Sequence, residues 1–165
     1  LRLDRHRRNR SLNDVFRLSR KTLFAIEAVL DIAYHASAHP VQSREITRRQ
    51  GIPQRYLEQV LQNLVRAGGL TGVRGPRGGY RLARERRRIT LADIVQVINE
   101  MESRADPIEE NDGSPLGTEV VRPLWRQLSE DCMAQLAETS IQDLCNQARE
   151  AGVESEDSVR HDYTI

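Results

Sequence analysis

Apolar residues recur at helical spacing along five stretches of this chain and alternate with polar ones along a sixth. After Ser19, a residue suited to capping a helix, Leu23, Ile26, Leu30 and Ala33 share one face of a helix predicted over about 20–38. Ser43 is expected to cap a short helix over 44–50, with Glu45 favourably placed in its first turn and Gly51 supplying a tight turn. Pro53, its φ preset for a first helical turn, then precedes Leu57, Val60, Leu61 and Leu64 at i, i+3, i+4, i+7. Residues 43–66 therefore read as helix, tight turn, helix. Thr90 caps a further helix carrying Leu91, Ile94, Val95 and Ile98. A longer helix from about Thr118 to Glu138 lines up Val121, Leu124, Trp125, Leu128, Cys132 and Leu136, and a last one over 140–150 turns Ile141, Leu144, Cys145 and Ala148 inward.

The sixth stretch, Leu70 to Ala83, has two short alternating runs flanking Gly75, Pro76, Arg77, Gly78 and Gly79, which predicts a β-hairpin. Tyr80 and Leu82 alternate with Arg81, so that apolar pair is expected to pack on the helices. The expected fold is mainly α with a small β-wing: a winged helix-turn-helix followed by a long dimerisation helix. A lone amphipathic helix beside a small domain needs a partner for its stripe, and the symmetric solution is an isologous dimer through Val121, Leu124, Trp125, Leu128 and Leu136.

This arrangement points to double-stranded DNA. Arg74 and Arg77 sit on a tip built almost entirely of glycine, and a narrow minor groove attracts inserted arginine through its enhanced negative potential. The polar side of the helix after Pro53 presents Gln54, Arg55, Glu58, Gln59 and Gln62. Arginine pairs with guanine, glutamine with adenine, and glutamate accepts from cytosine, so such a face suits a major groove. Alone it would be plain surface; followed at once by a glycine-tipped wing it becomes a recognition helix. Arg20 and Lys21 occupy a helix N-terminus, where positive charge opposes the macrodipole, and a phosphate there would relieve the conflict; Ser43 is a further candidate phosphate contact. The glycines do not form a phosphate-cradling loop of the nucleotide-binding kind, because they run into a strand and lack the terminal Lys-Ser/Thr.

Charge sharpens the picture. The formal net charge is +1, yet residues 1–88 carry 20 basic against 7 acidic side chains, and residues 89–165 carry 5 against 17. A basic first half suits a polyanion, and an acidic second half suits pairing or effector sensing away from it. The predicted organisation is a flexible basic arm over 1–17, a DNA-binding domain over 18–101, an acidic loop at the effector position over 102–117, the dimerisation and terminal helices over 118–150, and a loose acidic tail over 151–165. Arg84, Arg86, Arg87 and Arg88 form a basic run after the wing, equally suited to phosphates or to a solvated turn. No apolar run approaches a membrane span, no signal-peptide core opens the chain, and two cysteines make no disulfide framework, so a cytoplasmic protein is expected. No catalytic set is recognisable, so no enzyme is expected.

Three segments carry a resemblance to a known family: Ile52-Pro53-Gln54-Arg55-Tyr56-Leu57-Glu58-Gln59, the turn Arg66-Ala67-Gly68-Gly69-Leu70, and the wing Arg74-Gly75-Pro76-Arg77-Gly78-Gly79-Tyr80. From about Leu18 to Ala148 the chain resembles the bacterial Rrf2 superfamily of winged-helix regulators, which includes the iron–sulfur cluster regulator IscR, the nitric-oxide sensor NsrR, the iron regulator RirA and the cysteine-metabolism regulator CymR. The resemblance implies a homodimeric transcription regulator, most often a repressor on a palindromic operator. In it, Glu58 and Gln59 match the major-groove residues and Arg74 the wing arginine of the minor groove. Arg55 stands where the family varies.

Cluster-binding members carry three cysteines before the long helix, whereas Glu102 to Thr118 holds none here, so an iron–sulfur cluster held in the usual way is not expected, nor is any other metal or cofactor. Cys132 and Cys145 fall on apolar stripes and are expected to act as small buried hydrophobes, with redox sensing or unusual metal ligation as the sharper alternatives. His35 and His39 have the i, i+4 spacing of a zinc pair but lack further ligand candidates. Other inputs remain open: control by a small effector, by a partner protein on the acidic half, or by thiol oxidation. A nonspecific architectural nucleic-acid binder is the remaining alternative.

Overall fold

In the computed structural model, residues 19–102 and 113–155 are described. The expected arm over 1–17, most of the acidic loop and the end of the tail lie outside them. The chain folds as helix α1 (Arg20–Tyr34), α2 (Ser43–Gln50), α3 (Gln54–Arg66), strands β1 (Leu70–Val73) and β2 (Gly79–Leu82), a 3-10 turn at Arg86–Arg88, α4 (Leu91–Glu102), a π-helical turn at Gly117–Val121, α5 (Arg122–Glu138) and α6 (Ile141–Glu150). The mainly helical fold with a small β-wing is the one the pattern predicts.

Small residues set the packing of α1. Ala25, Ala28, Val29, Ile32 and Ala33 form its buried side, so the expected face of Leu23, Ile26, Leu30 and Ala33 is displaced: Leu23 is 45% exposed and Ile26 and Leu30 are half-buried. Alanines let neighbouring helices approach closely, and the bulkier residues then lie on the flanks. The helix also stops earlier than expected, at Tyr34, where His35 caps it by donating its backbone N–H to Asp31. His39 therefore lies in the loop beyond, and the two histidines are not one helical turn apart.

Asp31, on that buried side, is 2% exposed and accepts from Arg49 Nε at 2.9 Å, Arg49 Nη2 at 2.7 Å and Gln50 Nε2 at 2.8 Å, which fastens α2 to α1. A buried carboxylate is tolerated only with such partners. In α2 the start differs from expectation: Ser43 is the first helical residue rather than the cap, and the Glu45 carboxylate accepts the Gln42 N–H at 2.8 Å. In α3, Leu57, Val60, Leu61 and Leu64 are the buried stripe, as their spacing predicts. Thr90 and Asp93 cap α4 reciprocally, N–H of each to side-chain oxygen of the other.

The terminal helix returns to the winged domain. Leu91 donates to Thr139 at 3.0 Å and Ile141 to Ile89 at 2.8 Å, so Ile141 and Cys145, both fully buried, complete the core. Burial pushes the Cys145 thiol up, against the weaker opposing pull of Arg86 and Arg149. Cys132 behaves otherwise. It is exposed on α5, in line with Val121 at 59%, Leu124 at 60%, and Trp125 and Leu128 at 39% exposure, so the packing expected for it is absent within one chain. Leu136 is half-buried near the end of α5, a helix that packs along α4.

Candidate nucleic-acid interface

The candidate interface draws on two elements, α3 and the hairpin. Strands β1 and β2 pair antiparallel with Leu70 opposite Leu82 and Val73 opposite Gly79, leaving Arg74 to Gly78 as the tip. At the tip, Gly75 has φ +113°, a region that disfavours side chains, and Gly78 donates to the Gly75 carbonyl at 2.9 Å. The wing is then locked to the body from one side. Val41 donates to the Tyr80 carbonyl at 3.0 Å and Tyr80 returns a bond to Val41 at 2.8 Å. A Cβ on Gly79 would stand 2.4 Å from the Val41 carbonyl oxygen, so only glycine admits this backbone approach. Arg81 reaches across to donate to the carbonyls of Ser37 and Ala38. Tyr80 and Leu82 pack half-buried against the core, as their alternation predicts.

This bracing carries Arg74 and Arg77 outward, both exposed. Together with Gln42, Ser43 and Arg44 at the start of α2, the wing lines an open groove that includes Arg74 and Pro76. On α3, Gln54, Arg55 and Gln59 are exposed and Glu58 is half-buried, with Gln54 Nε2 donating to Glu58 Oε1 at 3.0 Å. The sequence-predicted base readers thus fall in the first turns of α3, the helix that also packs against β1 of the wing. Of the two cations at the start of α1, Arg20 is exposed, and the Ser19 hydroxyl caps the helix by accepting from Thr22 at 3.1 Å. Lys21 is already paired, its Nζ 3.1 Å from Glu102 Oε1.

Sequence reasoning missed the bracing groups. The pattern gives Arg49 no role and places Arg81 only as the residue alternating with Tyr80 and Leu82, yet the two bond to Asp31 and to loop carbonyls. Nothing in local periodicity separates a structural arginine from a solvated one.

Comparison with known proteins decides the family. The family model "Rrf2: Iron-dependent Transcriptional regulator" matches residues 18–147. The chain is an Rrf2-family transcriptional regulator. This Rrf2 protein is 36% identical over 129 residues to the regulator IscR of Xenorhabdus nematophila, covering 78% of each chain, and 32% identical over 133 residues to protein rrf2 of Nitratidesulfovibrio vulgaris, covering 80% of this chain and 89% of that one. Its fold is similar to that of T. potens IscR, with a TM-score of 0.66 at 30% identity over 86% of this chain and 95% of that one. It is also similar to CymR, the global cysteine regulator of B. subtilis, with a TM-score of 0.63 at 26% identity over 79% of this chain and 96% of that one. DNA binding in transcription regulation, by a bacterial winged helix, is the class of work read from the residues. Among the described residues no helix is long and apolar enough to cross a membrane.

The iron dependence in the family's description meets a poor donor set in this Rrf2 chain. A cluster needs several converging thiolates or imidazoles. This chain has two cysteines, one sealed in the core and one on α5, and among the described residues no three His, Cys, Asp or Glu side chains converge.

Proposed function

We propose that this regulator binds a palindromic operator as a homodimer and acts as a repressor without a three-cysteine iron–sulfur cluster. The observation that carries the reading is the braced wing, with exposed Arg74 and Arg77, together with exposed Gln54, Arg55 and Gln59 on α3, the helix that packs against β1. Gln54, Arg55, Glu58 and Gln59 read base edges in the major groove, Arg74 and Arg77 enter the minor groove, and Arg20, Lys21 and Ser43 hold phosphates. The apolar side of α5 and of the π-helical turn before it, with Val121, Leu124, Trp125 and Leu128 exposed, supports pairing with a second copy, and Leu136 continues that side. Cys132 falls within the same face, where a second chain would cover it. A two-fold dimer presents its two α3 helices to half-sites about 34–36 Å apart.

Selection from random-sequence DNA tests this. Repeated rounds of binding with the full chain are expected to enrich an inverted repeat with an A·T-rich stretch where each wing falls. Enrichment of no sequence, with equal affinity for unrelated DNA, would leave the architectural alternative standing.

A further inference from the structure

The N-terminus of α1 and the C-terminus of α4 meet beside the recognition helix. Tyr56, in the first turn of α3, donates its hydroxyl to the Lys21 carbonyl at 2.9 Å, and its ring lies against Phe24 with centroids 5.9 Å apart. Burial, and then the Glu102 carboxylate, push the Tyr56 phenol up to about 12, so the hydroxyl remains a donor throughout the neutral range. The backbone of Lys21 is thereby tied to the helix that carries the candidate base readers. Its side chain, half exposed, turns to the mostly covered Glu102, 3.1 Å away.

A cation in the first turn of a helix, as Lys21 is beside Arg20, is unfavourable, because the free N–H groups there already carry positive charge. An anion beside it removes the conflict, and Glu102 is that anion in the free protein. A DNA phosphate at the same place would meet a carboxylate of like charge, so the two acceptors compete for one ammonium. We propose that Glu102 stands in for the DNA phosphate: it holds Lys21 in the free protein and gives it up on binding, which lowers affinity for DNA. This rests on the reading of Lys21 as a phosphate contact. Glu102 is then a positioning residue that tunes binding through Lys21 without itself touching the operator.

The test uses a duplex bearing the site that the wild-type chain selects, titrated by fluorescence anisotropy across a salt series. Glu102→Gln is expected to bind about twofold to fivefold tighter, the scale of a partly exposed ion pair. Lys21→Met is expected to bind more weakly, with a log–log salt slope shallower by roughly 0.9, one phosphate's share. In the Lys21→Met background, Glu102→Gln should gain less than it does in the wild type, and Glu100→Gln, which removes the same charge two residues away, should gain less than Glu102→Gln. Equal gains in both backgrounds, equal gains from both glutamates, or no gain would overturn the exchange. Wild-type affinity and slope in Lys21→Met would instead overturn the phosphate contact itself. Thermal unfolding of each variant, expected to match the wild type, separates these outcomes from a folding defect.

Discussion

Asp31 holds the helix-turn-helix to its scaffold. Its side chain is fully covered, and Arg49, 14% exposed at the side chain, answers it with two nitrogens while Gln50 adds a third bond. Removing one charge from such a pair strands the other. Asp31→Asn should therefore cost about 3 kcal/mol of unfolding free energy in urea titration, the lower end of the range for a buried pair because Arg49 keeps some solvent. A loss within a few tenths would contradict the account. At this scale the sequence was legible where a residue's type implied its neighbour at short range. Ser19 and Thr90 cap the helices that their positions announced. Asp31 and Arg49 lie 18 residues apart, and Lys21 and Glu102 lie farther still, so periodicity could not pair them. Ser43 failed as a cap because Glu45 reaches back to Gln42, one residue earlier.

Among the elements, the hairpin was the most legible and owes most to contacts the sequence hid. Its glycine density marked the tip, but the bridge from Val41 to Tyr80 and the grip of Arg81 on the loop after α1 emerge only from the fold. Gly79 is where these meet. Gly79→Ala would press a methyl group into the Val41 carbonyl, 2.4 Å from its oxygen. Backbone would have to move, and overpacking of that kind costs ~1–3 kcal/mol. Faster hydrogen exchange at the Val41 and Tyr80 amides should report the loosened wing, together with weaker DNA binding; unchanged protection would show that the bridge is not what holds it. The register of α1 was less legible, since a face made of Ala25, Ala28 and Ala33 gives little contrast beside Leu23 and Leu30. The stripe on α5 was plain in the spacing, and the exposure of Val121, Leu124, Trp125 and Leu128 is what an unpaired dimerisation helix would present.

For the whole molecule, the division of charge and the exposed face of α5 belong together. The acidic second half carries the proposed pairing helix, and the basic first half carries the candidate DNA face. Leu128→Glu places a charge in the centre of the α5 stripe and should reduce the species in sedimentation equilibrium from twice the 18.9 kDa chain mass to one chain, with loss of tight binding to a full inverted repeat. A persistent dimer would place the interface elsewhere. The central claim is that the braced wing reads DNA beside α3, and Arg74 tests it most directly. Affinity of the wild type and of Arg74→Ala should be measured at matched salt on the selected site and on unrelated DNA. The account predicts a loss of ~1–3 kcal/mol on the selected site, a much smaller change on unrelated DNA, and an unaltered thermal unfolding curve. Equal affinity of the two proteins for the selected site would contradict it.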